Sequence, residues 1–366
     1  MTGPIMPIEL AIVGCGDVTA RYLSSRARLE SAGATVVALC EPDAARRARA
    51  AARFRVPSVH ATLEDALEET SFDAVVNLTP TRVHAAVTRL AIERGLHVYS
   101  EKPLATSYDE GVALRELAGA RGTVLLCAPA TVVFPVWRML RKVLDDGVIG
   151  APLAMRARFD MPPPPWRRHE TGATWFTAPD VGPLRDVGIY ALHGMLDLFG
   201  TPTTVAARTA SVRGAGAAAS RHSEEQSGPD SVSLLLSFPC GRVATLETGF
   251  FVHASLAPWA EVYGERGTIA LSMRDPVAPL RICAIEDDFD HSGAPPPWRE
   301  VTGTDIVATL GCDIAGADGW FDYLAGLEEF LDVVRTRRPS PLCADRACDA
   351  LAVVDRAYLA ASAVAS

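Results

Sequence analysis

One repeated pattern dominates the chain up to about residue 127, a short apolar strand followed by a longer amphipathic helix. The predicted strands are IELAIVG from Ile8, TVVALC from Thr35, FDAVVNLT from Phe72, LHVYS from Leu96 and TVLLCA from Thr123. The helices predicted between them cover residues 17–32, 42–54, 83–94 and 108–121. Because strands joined through helices run parallel, the pattern predicts a parallel sheet covered by helices on both faces. This is the doubly wound α/β architecture that binds nucleotides.

The pattern changes after Pro129, where strands joined by tight turns become more common. Helices are predicted over 134–146 and 187–199, a strand over 152–160, and two closing helices over 320–335 and 345–363. The later predicted strands are VSLLLSF, RVATLETGFF, WAEVYGE and GTIALSM. Strands of this kind indicate an antiparallel sheet, and a chain of 366 residues is long enough for two cores. We therefore expect a second, α+β domain.

The charge balance argues against two classes of partner. A formal net charge of -9 leaves no basic surface for nucleic acid or for an anionic membrane. The first residues, MTGPIMPIEL, lack the basic and apolar regions of a signal peptide, and no apolar run is long enough to span a bilayer. The eight cysteines are scattered without a C-x-x-C pair, so we expect reduced thiols, no metal site and a cytoplasmic protein.

The first strand runs directly into the turn GCGDVTA. Gly14 and Gly16 occupy the first two positions of a dinucleotide fingerprint, where small residues let backbone N–H groups approach a pyrophosphate. Thr19 stands in place of the third glycine, so the match is incomplete. The position between a strand and a helix nevertheless favours a cofactor site. The predicted contacts in this turn are Gly14, Gly16, Asp17 and Val18.

A carboxylate ends the second predicted strand. Glu41 could accept hydrogen bonds from the adenosine ribose hydroxyls, and its charge would repel a 2′-phosphate, which favours NAD over NADP. The alternative role for Glu41 is the N-cap of the next helix, which Asp43 could supply equally well. Arg46 and Arg47 could still hold a phosphate, so NADP stays possible.

Lysine is almost absent from this chain. Of the 35 basic residues, 33 are arginine and only Lys102 and Lys142 are lysine. Arginine keeps its proton in any protein environment, whereas a lysine can give and take one near neutral pH. Lys102, in the stretch SEKPLA, is therefore a candidate for acid–base chemistry, while Lys142 on an amphipathic helix is read as a surface residue.

Four stretches together resemble the glucose-fructose oxidoreductase, inositol dehydrogenase and rhizopine-catabolism (Gfo/Idh/MocA) family of NAD(P)-dependent oxidoreductases. They are the glycine turn, TPTRVHAAV, SEKPLA and GPLRDVGIYALHGMLDLFG. The resemblance implies a Rossmann domain over 1–128, then a domain over 129–342 with an open-faced, mixed and mainly antiparallel sheet. It also implies that the last helix, over 343–366, packs back on the Rossmann domain.

The resemblance assigns roles to residues of the first domain. Lys102 is implied to point at the nicotinamide and the substrate, and the resemblance suggests a cis peptide between Lys102 and Pro103. Glu101 is implied to orient the lysine or to hold ribose, and an ordinary carboxylate at a strand end is the alternative. The stretch TPTRVH is implied to cover the nicotinamide side of the cofactor. Its matching positions are Asn77, Thr79, Pro80 and His84, of which His84 could equally be a structural histidine.

Three polar residues of the second domain follow helical spacing. Asp186, Tyr190 and His193 lie at i, i+4 and i+7, which places them on one face of a predicted helix. By resemblance, Tyr190 donates or accepts the substrate proton, with Lys102 lowering its pKa or sharing the task, and Asp186 fixes the substrate. The alternatives are an N-cap for Asp186 and a core aromatic for Tyr190. His193 could bind substrate or only pack in the core.

The loop before that helix carries a tryptophan followed by arginines. The resemblance makes Arg167 a candidate to hold a carboxylate or phosphate of the substrate, and a solvated loop is the alternative interpretation.

Taken together, the residues and the resemblance predict an enzyme that transfers a hydride between NAD (NADP possible) and a secondary alcohol or ketone of a sugar, cyclitol or related polyol. A homodimer or homotetramer is implied by resemblance alone. Two alternatives stay open. One is a non-catalytic, cofactor-binding sensor or repressor of the same fold, and the other is a redox-neutral, NAD-dependent glycosidase or epimerase.

Overall fold

The computed structural model describes residues 6–163, 181–212, 228–285, 297–312 and 321–364. The chain divides into two compact units. Of the described residues, the first unit holds 6–130 and 323–352, and the second holds the remainder. No helix within these ranges is long and apolar enough to cross a membrane.

A six-stranded parallel sheet forms the centre of the first unit, which confirms the predicted fold class. Its strands are β1 Ile8–Val13, β2 Ala34–Cys40, β3 Ser58–His60, β4 Ala74–Asn77, β5 His97–Ser100 and β6 Leu125–Cys127. Their order across the sheet is β3-β2-β1-β4-β5-β6, and every adjacent pair is parallel. The chain order reverses beside β1, and sheets of this kind bind ligands at the carboxyl ends of the strands next to such a reversal.

Helices cover this sheet. They are α1 Thr19–Tyr22, α2 Arg26–Ser31, α3 Ala44–Phe54, α4 Leu63–Glu69, α5 Thr81–Glu93, α6 Tyr108–Arg121, α10 Tyr323–Thr336 and the start of α11 Ala344–Val364. Apolar side chains of β4, β5 and α6 form one buried cluster with Ala347 and Leu351 of α11. The start of α11 therefore completes the core of the parallel sheet, although it lies far along the chain.

One predicted helix, over 17–32, is wrong, because the chain forms α1 and α2 there instead. Ser25 is extended, and its hydroxyl accepts a hydrogen bond from the Arg28 backbone N–H at 3.3 Å, so a new helix begins at Arg26. The sequence pattern also missed β3 and α4. A strand of three residues carries too little periodicity to be recognised.

The second unit is built on a mixed sheet of eight strands, which confirms the predicted mainly antiparallel sheet. They are β7 Pro152–Arg158, β8 Thr204–Ala210, β9 Ser231–Ser237, β10 Val243–Gly249, β11 Ala260–Gly264, β12 Gly267–Leu271, β13 Leu280–Ala284 and β14 Arg299–Val301. The order is β14-β13-β12-β11-β7-β10-β9-β8, in which only β7 and β10 are a parallel pair. Of these strands, β8, β13 and β14 were not predicted.

The two faces of this sheet differ in burial. Met155, Leu246 and Val262 lie on the face that packs against helix α8 Ile189–Phe199, and all three are fully buried. On the opposite face, Leu235 is 49% and Val243 is 41% exposed. Helices α7 Pro135–Asp145 and α9 Gly303–Leu310 also belong to the described part of this unit. The sheet therefore has one covered and one open face, as alternation along a half-buried strand requires.

A carboxylate at the end of β7 makes the stability of this unit depend on pH. The side chain of Asp160 is 11% exposed, and its carboxylate lies 3.9 Å from the Arg158 guanidinium. Burial raises the pKa of Asp160 from 3.8 to about 6, against the lowering effect of Arg158. Because the folded-state pKa is raised, the stability that protonated Asp160 contributes is complete below about pH 4 and is lost as pH rises through 6.

We expect Asp160→Asn to raise the free energy of unfolding by about 1 kcal/mol at pH 7.5 and to change it little at pH 4. The neutral amide avoids the cost of burying a charge above pH 6, whereas at pH 4 the wild-type carboxyl is already neutral. Urea unfolding of both proteins at the two pH values measures the difference. A gain of equal size at both values would contradict this explanation.

Candidate active site

Most of the predicted cofactor residues of the first unit lie at one edge of the parallel sheet. The glycine turn follows β1, Glu41 follows β2, and the loop after β4 begins beside Asn77. Glu101 and Lys102 follow β5. Because carboxyl ends of parallel strands meet at the same edge, residues scattered over 14–102 are brought together.

The two glycines of the turn differ in what surrounds them. Gly14 has a φ of +97°, and a Cβ there would lie 2.7 Å from the Leu78 carbonyl oxygen and 2.9 Å from the Thr79 nitrogen. Only glycine fits this close approach between the turn and the loop after β4. A Cβ on Gly16 would meet no atom of the described protein within 4 Å. The space in front of Gly16 is therefore open to a ligand, as the dinucleotide fingerprint requires.

Thr19 has a structural role in place of the missing glycine. Its side chain is buried, and its hydroxyl donates to the Gly14 carbonyl oxygen at 2.8 Å. Thr19 also begins α1, and its backbone N–H donates to the Gly16 carbonyl at 3.2 Å. Thr19 thus departs from the fingerprint, but its side-chain hydrogen bond to Gly14 keeps the turn closed.

Glu41 lies against the glycine turn. Its carboxylate accepts the backbone N–H of Cys15 at 2.9 Å and of Asp43 at 3.0 Å. Asp43 caps α3 by accepting the Arg46 N–H at 2.8 Å. The N-cap of α3 is therefore Asp43, and Glu41 does not have that role. Arg47 donates from Nη1 to the backbone carbonyls of Glu41 and Pro42. The arrangement places a carboxylate where the fingerprint expects one.

The side chain of Asn77 shapes the loop after β4 from inside. It is fully buried, and its amide N–H groups donate to the His84 carbonyl at 2.9 Å and to the Thr88 hydroxyl at 3.1 Å. Its oxygen accepts from the Thr79 hydroxyl at 2.6 Å. Pro80, the N-cap of α5, is exposed. This geometry favours a positioning role for Asn77 and leaves Thr79 and Pro80 as the members of the loop that can face a ligand.

The histidine of this stretch is also buried, with 1% of its surface exposed. His84 Nδ1 lies 2.6 Å from the Pro103 carbonyl oxygen, and Nε2 lies 2.7 Å from the Thr79 carbonyl oxygen. Burial lowers the pKa of His84, although the two carbonyls and Glu101 act in the opposite direction. Both ring nitrogens thus lie within hydrogen-bond distance of backbone carbonyls, and the neutral ring can donate to one of the two. This burial among backbone groups favours the structural alternative over a contact with the nicotinamide.

Lys102 follows a buried carboxylate. Glu101 is 8% exposed, and it accepts the Tyr22 hydroxyl at 2.8 Å and the Lys102 backbone N–H at 3.0 Å. The Lys102–Pro103 peptide is cis, as the resemblance implies. Tyr22 was not predicted as a site residue, because a tyrosine in an amphipathic stretch has no signal that separates it from an ordinary core residue.

In the second unit, the predicted helix 187–199 begins earlier and irregularly. A π turn, Leu184–Gly188, precedes α8 and carries Asp186, which is 8% exposed. A Cβ on Gly188 would lie 2.8 Å from Thr248, so glycine lets the turn press against β10. Thr248 donates from its hydroxyl to the Phe159 carbonyl at 2.6 Å. Single π turns inside helices are frequent at functional sites.

The π turn is also held by the end of α11, which belongs to the second unit from residue 353 onward. Arg185 forms an ion pair with Asp355 at 2.9 Å, and its guanidinium lies 5.2 Å from the centre of the Tyr358 ring. The Tyr358 hydroxyl donates to the Val181 carbonyl at 3.3 Å. Asp186 therefore lies in a turn that is fixed from both ends.

Tyr190 is held between aromatic rings. Its ring stacks on Phe159 with centroids 5.0 Å apart and an interplanar angle of 12°. The ring of Phe321 meets it edge-on at 4.6 Å. These contacts fix the ring plane of a half-buried phenol, so the aromatic alternative and the functional one are compatible. Neither Phe159 nor Phe321 was recognised from the sequence.

The expected common face of Asp186, Tyr190 and His193 is only partly realised. Asp186 in the π turn and Tyr190 at the start of α8 lie one turn apart. His193, further along α8, is buried, with 1% of its surface exposed. That burial favours packing over substrate contact for His193. Arg167 lies outside the described residues.

The chemistry available in each unit is distinct. The first unit offers an open glycine turn, a carboxylate beside it and a lysine on the same sheet edge, which suit a dinucleotide. The second offers a carboxylate and a phenol one helical turn apart, which suit hydrogen bonding and proton transfer at a hydroxyl. Within the described ranges, no cluster of three or more His, Cys, Asp or Glu residues could hold a metal ion.

Comparison with family models gives two matches. Residues 8–128 match the oxidoreductase family with an NAD-binding Rossmann fold, and residues 137–270 match the GFO/IDH/MocA C-terminal domain.

Among curated relatives, a dTDP-3,4-didehydro-2,6-dideoxy-alpha-D-glucose 3-reductase of Saccharopolyspora spinosa is 30% identical over 72% of this chain and 74% of its own length. A scyllo-inositol 2-dehydrogenase (NADP(+)) of Bacillus subtilis is 28% identical over 72% of this chain and 76% of its length. Among solved structures, a levoglucosan dehydrogenase in complex with NADH and levoglucosan superposes with a TM-score of 0.80 at 18% identity, covering 98% of both chains. At that identity, the structure shows a shared fold.

Proposed function

Because this chain belongs to the Gfo/Idh/MocA family of NAD(P)-dependent oxidoreductases, we propose that it transfers a hydride between the nicotinamide and a secondary alcohol or ketone of a sugar, cyclitol or related polyol. The bound nicotinamide supplies or accepts the hydride. Curated relatives reduce a dTDP-linked dideoxysugar or oxidise an inositol, which supports this substrate range. The retained Lys102, Asp186 and Tyr190 favour an enzyme over the sensor alternative.

The observation that carries the proposal is the placement of Lys102. It follows β5 at the sheet edge that also carries the glycine turn and Glu41, and its backbone N–H is held by the buried Glu101. A lysine fixed at the edge that receives the dinucleotide suits proton exchange with a substrate hydroxyl, because each hydride moved at a carbinol carbon requires one proton to leave or reach its oxygen.

Roles for the second unit follow from its chemistry. Tyr190 is assigned as proton donor or acceptor, since its ring is fixed by Phe159 and Phe321 while its hydroxyl has the required chemistry. Asp186 is assigned to substrate binding through its carboxylate. Arg167 remains a proposed contact for an anionic group of the substrate.

Tyr190→Phe is expected to lower kcat by about 10²- to 10⁴-fold while leaving the dissociation constant for NADH within about threefold. The substitution removes only the hydroxyl, so the stacking on Phe159 is kept. Steady-state kinetics on a polyol and dideoxysugar panel measure the effect. Tyr263→Phe is the matched control, because the Tyr263 hydroxyl donates to Glu261 at 2.9 Å on the second sheet and has no assigned role. A kcat within threefold of wild type for Tyr190→Phe would contradict the assignment.

For the cofactor, we propose NAD, with NADP possible. The Glu41 carboxylate lies beside the glycine turn, and Arg47 already donates to two backbone carbonyls from Nη1, which lowers its availability to a 2′-phosphate. We expect calorimetric titration to give NADH at least about tenfold tighter binding than NADPH, because a carboxylate repels the added phosphate. Glu41→Gln keeps the shape of the side chain and removes its charge, so we expect a smaller difference between the NADH and NADPH dissociation constants. Equal binding of both cofactors to the wild type would count against the role of Glu41.

The proposal also includes the cellular location, the oligomeric state and the division into domains. The scattered cysteines, which include no C-x-x-C pair, support a reducing, cytoplasmic location. Exposed apolar residues on the open face of the second sheet, Leu235 and Val243, support a homodimer or homotetramer. The domain division into 1–128, 129–342 and a closing helix 343–366 stays a prediction.

A further inference from the structure

The backbone around Lys102 is held on both sides by buried side chains from two different helices. Tyr22 of α1 acts on the N-terminal side through Glu101, and His84 of α5 acts on the C-terminal side through Pro103. Both side chains are 1% exposed. Neither is therefore placed to touch a ligand, yet each makes its contact at a neighbour of the lysine.

The contact on the N-terminal side is a chain of two hydrogen bonds. The Tyr22 hydroxyl donates to Glu101 Oε1 at 2.8 Å, and Glu101 Oε2 accepts the Lys102 N–H at 3.0 Å. Burial, with the nearby Glu101 carboxylate, raises the pKa of Tyr22 well above its usual range, so the phenol keeps its proton and remains a donor. A buried carboxylate that accepts two such bonds fixes the direction of the backbone that follows it.

The contact on the C-terminal side uses the imidazole of His84. Its nitrogens lie 2.6 Å from the Pro103 carbonyl and 2.7 Å from the Thr79 carbonyl. Burial is the main cause that lowers the pKa of His84; of the charged groups that act on it, the Glu101 carboxylate raises the pKa and Lys102 lowers it. In the tautomer that carries its proton on Nδ1, His84 donates to the Pro103 carbonyl and ties α5 and the loop after β4 to the loop after β5, the two loops that flank the predicted nicotinamide position.

The Tyr22 contact also leads back to the glycine turn. Thr19, one helical turn before Tyr22, donates from its hydroxyl to the Gly14 carbonyl at 2.8 Å. A continuous path of hydrogen bonds and one short helix therefore runs from Gly14 through Thr19, Tyr22 and Glu101 to the backbone of Lys102. A ligand that orders the glycine turn would order the lysine through the same path.

We propose that Tyr22 and His84 are positioning residues for Lys102, and that Tyr22 couples occupation of the glycine turn by the dinucleotide to the placement of the lysine. The assignment of Lys102 as the acting residue rests on the proposed function. The hydrogen-bonded path does not, so the two can be tested separately.

The near absence of lysine makes a direct test possible. Protein grown with [ε-¹³C]lysine contains only two labelled residues, Lys102 and Lys142. Lys142 pairs with Asp146 at 2.9 Å on the exposed side of α7, so its signal serves as an internal reference. Lys142→Arg, which keeps the charge, assigns the remaining signal to Lys102. Spectra of the full chain are recorded without ligand and with NAD⁺.

In the wild type we expect one sharp Lys102 signal, which NAD⁺ shifts while the Lys142 signal stays in place. In Tyr22→Phe and His84→Asn we expect the Lys102 signal to broaden or split, with the Lys142 signal unchanged. Tyr22→Phe should also reduce the shift that NAD⁺ produces. Turnover in both variants should fall about 10- to 100-fold in kcat at a nearly unchanged NADH dissociation constant, since a small displacement of a reacting group has an effect of this size.

Two matched controls separate this role from a general loss of structure. Tyr263→Phe removes a hydroxyl that also donates to a glutamate, and His60→Asn removes a buried imidazole near the Ser58 and Thr70 hydroxyls. Both should leave the Lys102 signal unchanged, and circular dichroism confirms that each variant is folded.

Two results would contradict the inference, and a third would separate it from the proposed function. A Lys102 signal and a kcat that are unchanged in both Tyr22→Phe and His84→Asn would overturn the inference. Broadening of both lysine signals together would also overturn it, because the effect would then be structural. If the Lys102 signal alone responds while the wild type shows no turnover on any substrate of the panel, the positioning role stands and the proposed function fails.

Discussion

Lys102→Met is expected to lower kcat by about 10³-fold or more while the dissociation constant for NADH changes less than about threefold. Methionine has a similar length and flexibility but no proton to exchange, so the change removes the acid–base group and keeps the volume. The backbone contacts of Lys102 to Glu101 involve the main chain, and they are retained in the variant. Turnover is measured in steady state, and cofactor binding is measured by calorimetry.

The only other lysine of the chain supplies the control. Lys142 is exposed on α7 and forms an i,i+4 ion pair with Asp146. Lys142→Met removes the same chemical group, and such surface pairs contribute at most about 0.5 kcal/mol, so we expect kcat within twofold of wild type. If Lys102→Met retains a tenth or more of the wild-type kcat, Lys102 does not carry the proton transfer.

Gly14→Ala is expected to lower the free energy of unfolding by about 2–4 kcal/mol and to abolish measurable NADH binding. Two physical causes add. The residue has a φ of +97°, which strains any side chain, and the new Cβ would lie 2.7 Å from the Leu78 carbonyl oxygen. The backbone of the turn or of the loop after β4 must therefore shift, and both border the cofactor edge.

Two glycine variants separate these causes. Gly122, at the C-cap of α6, has a φ of +66° and open space around a Cβ, so Gly122→Ala tests strain without a clash. We expect about 1 kcal/mol of destabilisation and normal NADH binding. Gly16→Ala meets no protein atom within 4 Å, so we expect a stable protein with weakened NADH binding. Wild-type stability in Gly14→Ala, or normal NADH binding in Gly16→Ala, would refute this account of the turn.

How much of the fold followed from the sequence depends on the strength of the local apolar pattern. Strands with long apolar runs, such as VSLLLSF, were predicted because alternation over several residues is a strong signal. Strands β3 and β14 are three residues each and were missed. The break between α1 and α2 was also missed, since it depends on a single hydroxyl at Ser25.

The roles of individual residues after β4 were also not decided by the sequence. The stretch TPTRVH gave no means to separate side chains that face a ligand from side chains that hold the loop. The structure shows that Asn77 and His84 are buried with their polar atoms engaged, whereas Pro80 is exposed. Side-chain direction after a strand end depends on packing partners that are distant in the chain, and no local pattern encodes them.

The sequence by itself determined the alternation of strands and helices, the glycine turn, the position of Glu41 and the rarity of lysine. These features are local, so hydrophobic periodicity and residue chemistry are enough to identify them. Only the tertiary structure decided that Thr19 closes the turn, that Asp43 and not Glu41 caps α3, and that Tyr22 and His84 flank Lys102. The Thr19 and Asp43 hydrogen bonds join residues that are near in the chain, but the sequence alone does not tell which side chain makes them. The Tyr22 and His84 contacts join more distant residues, and they form only when the sheet brings its strand ends to one edge.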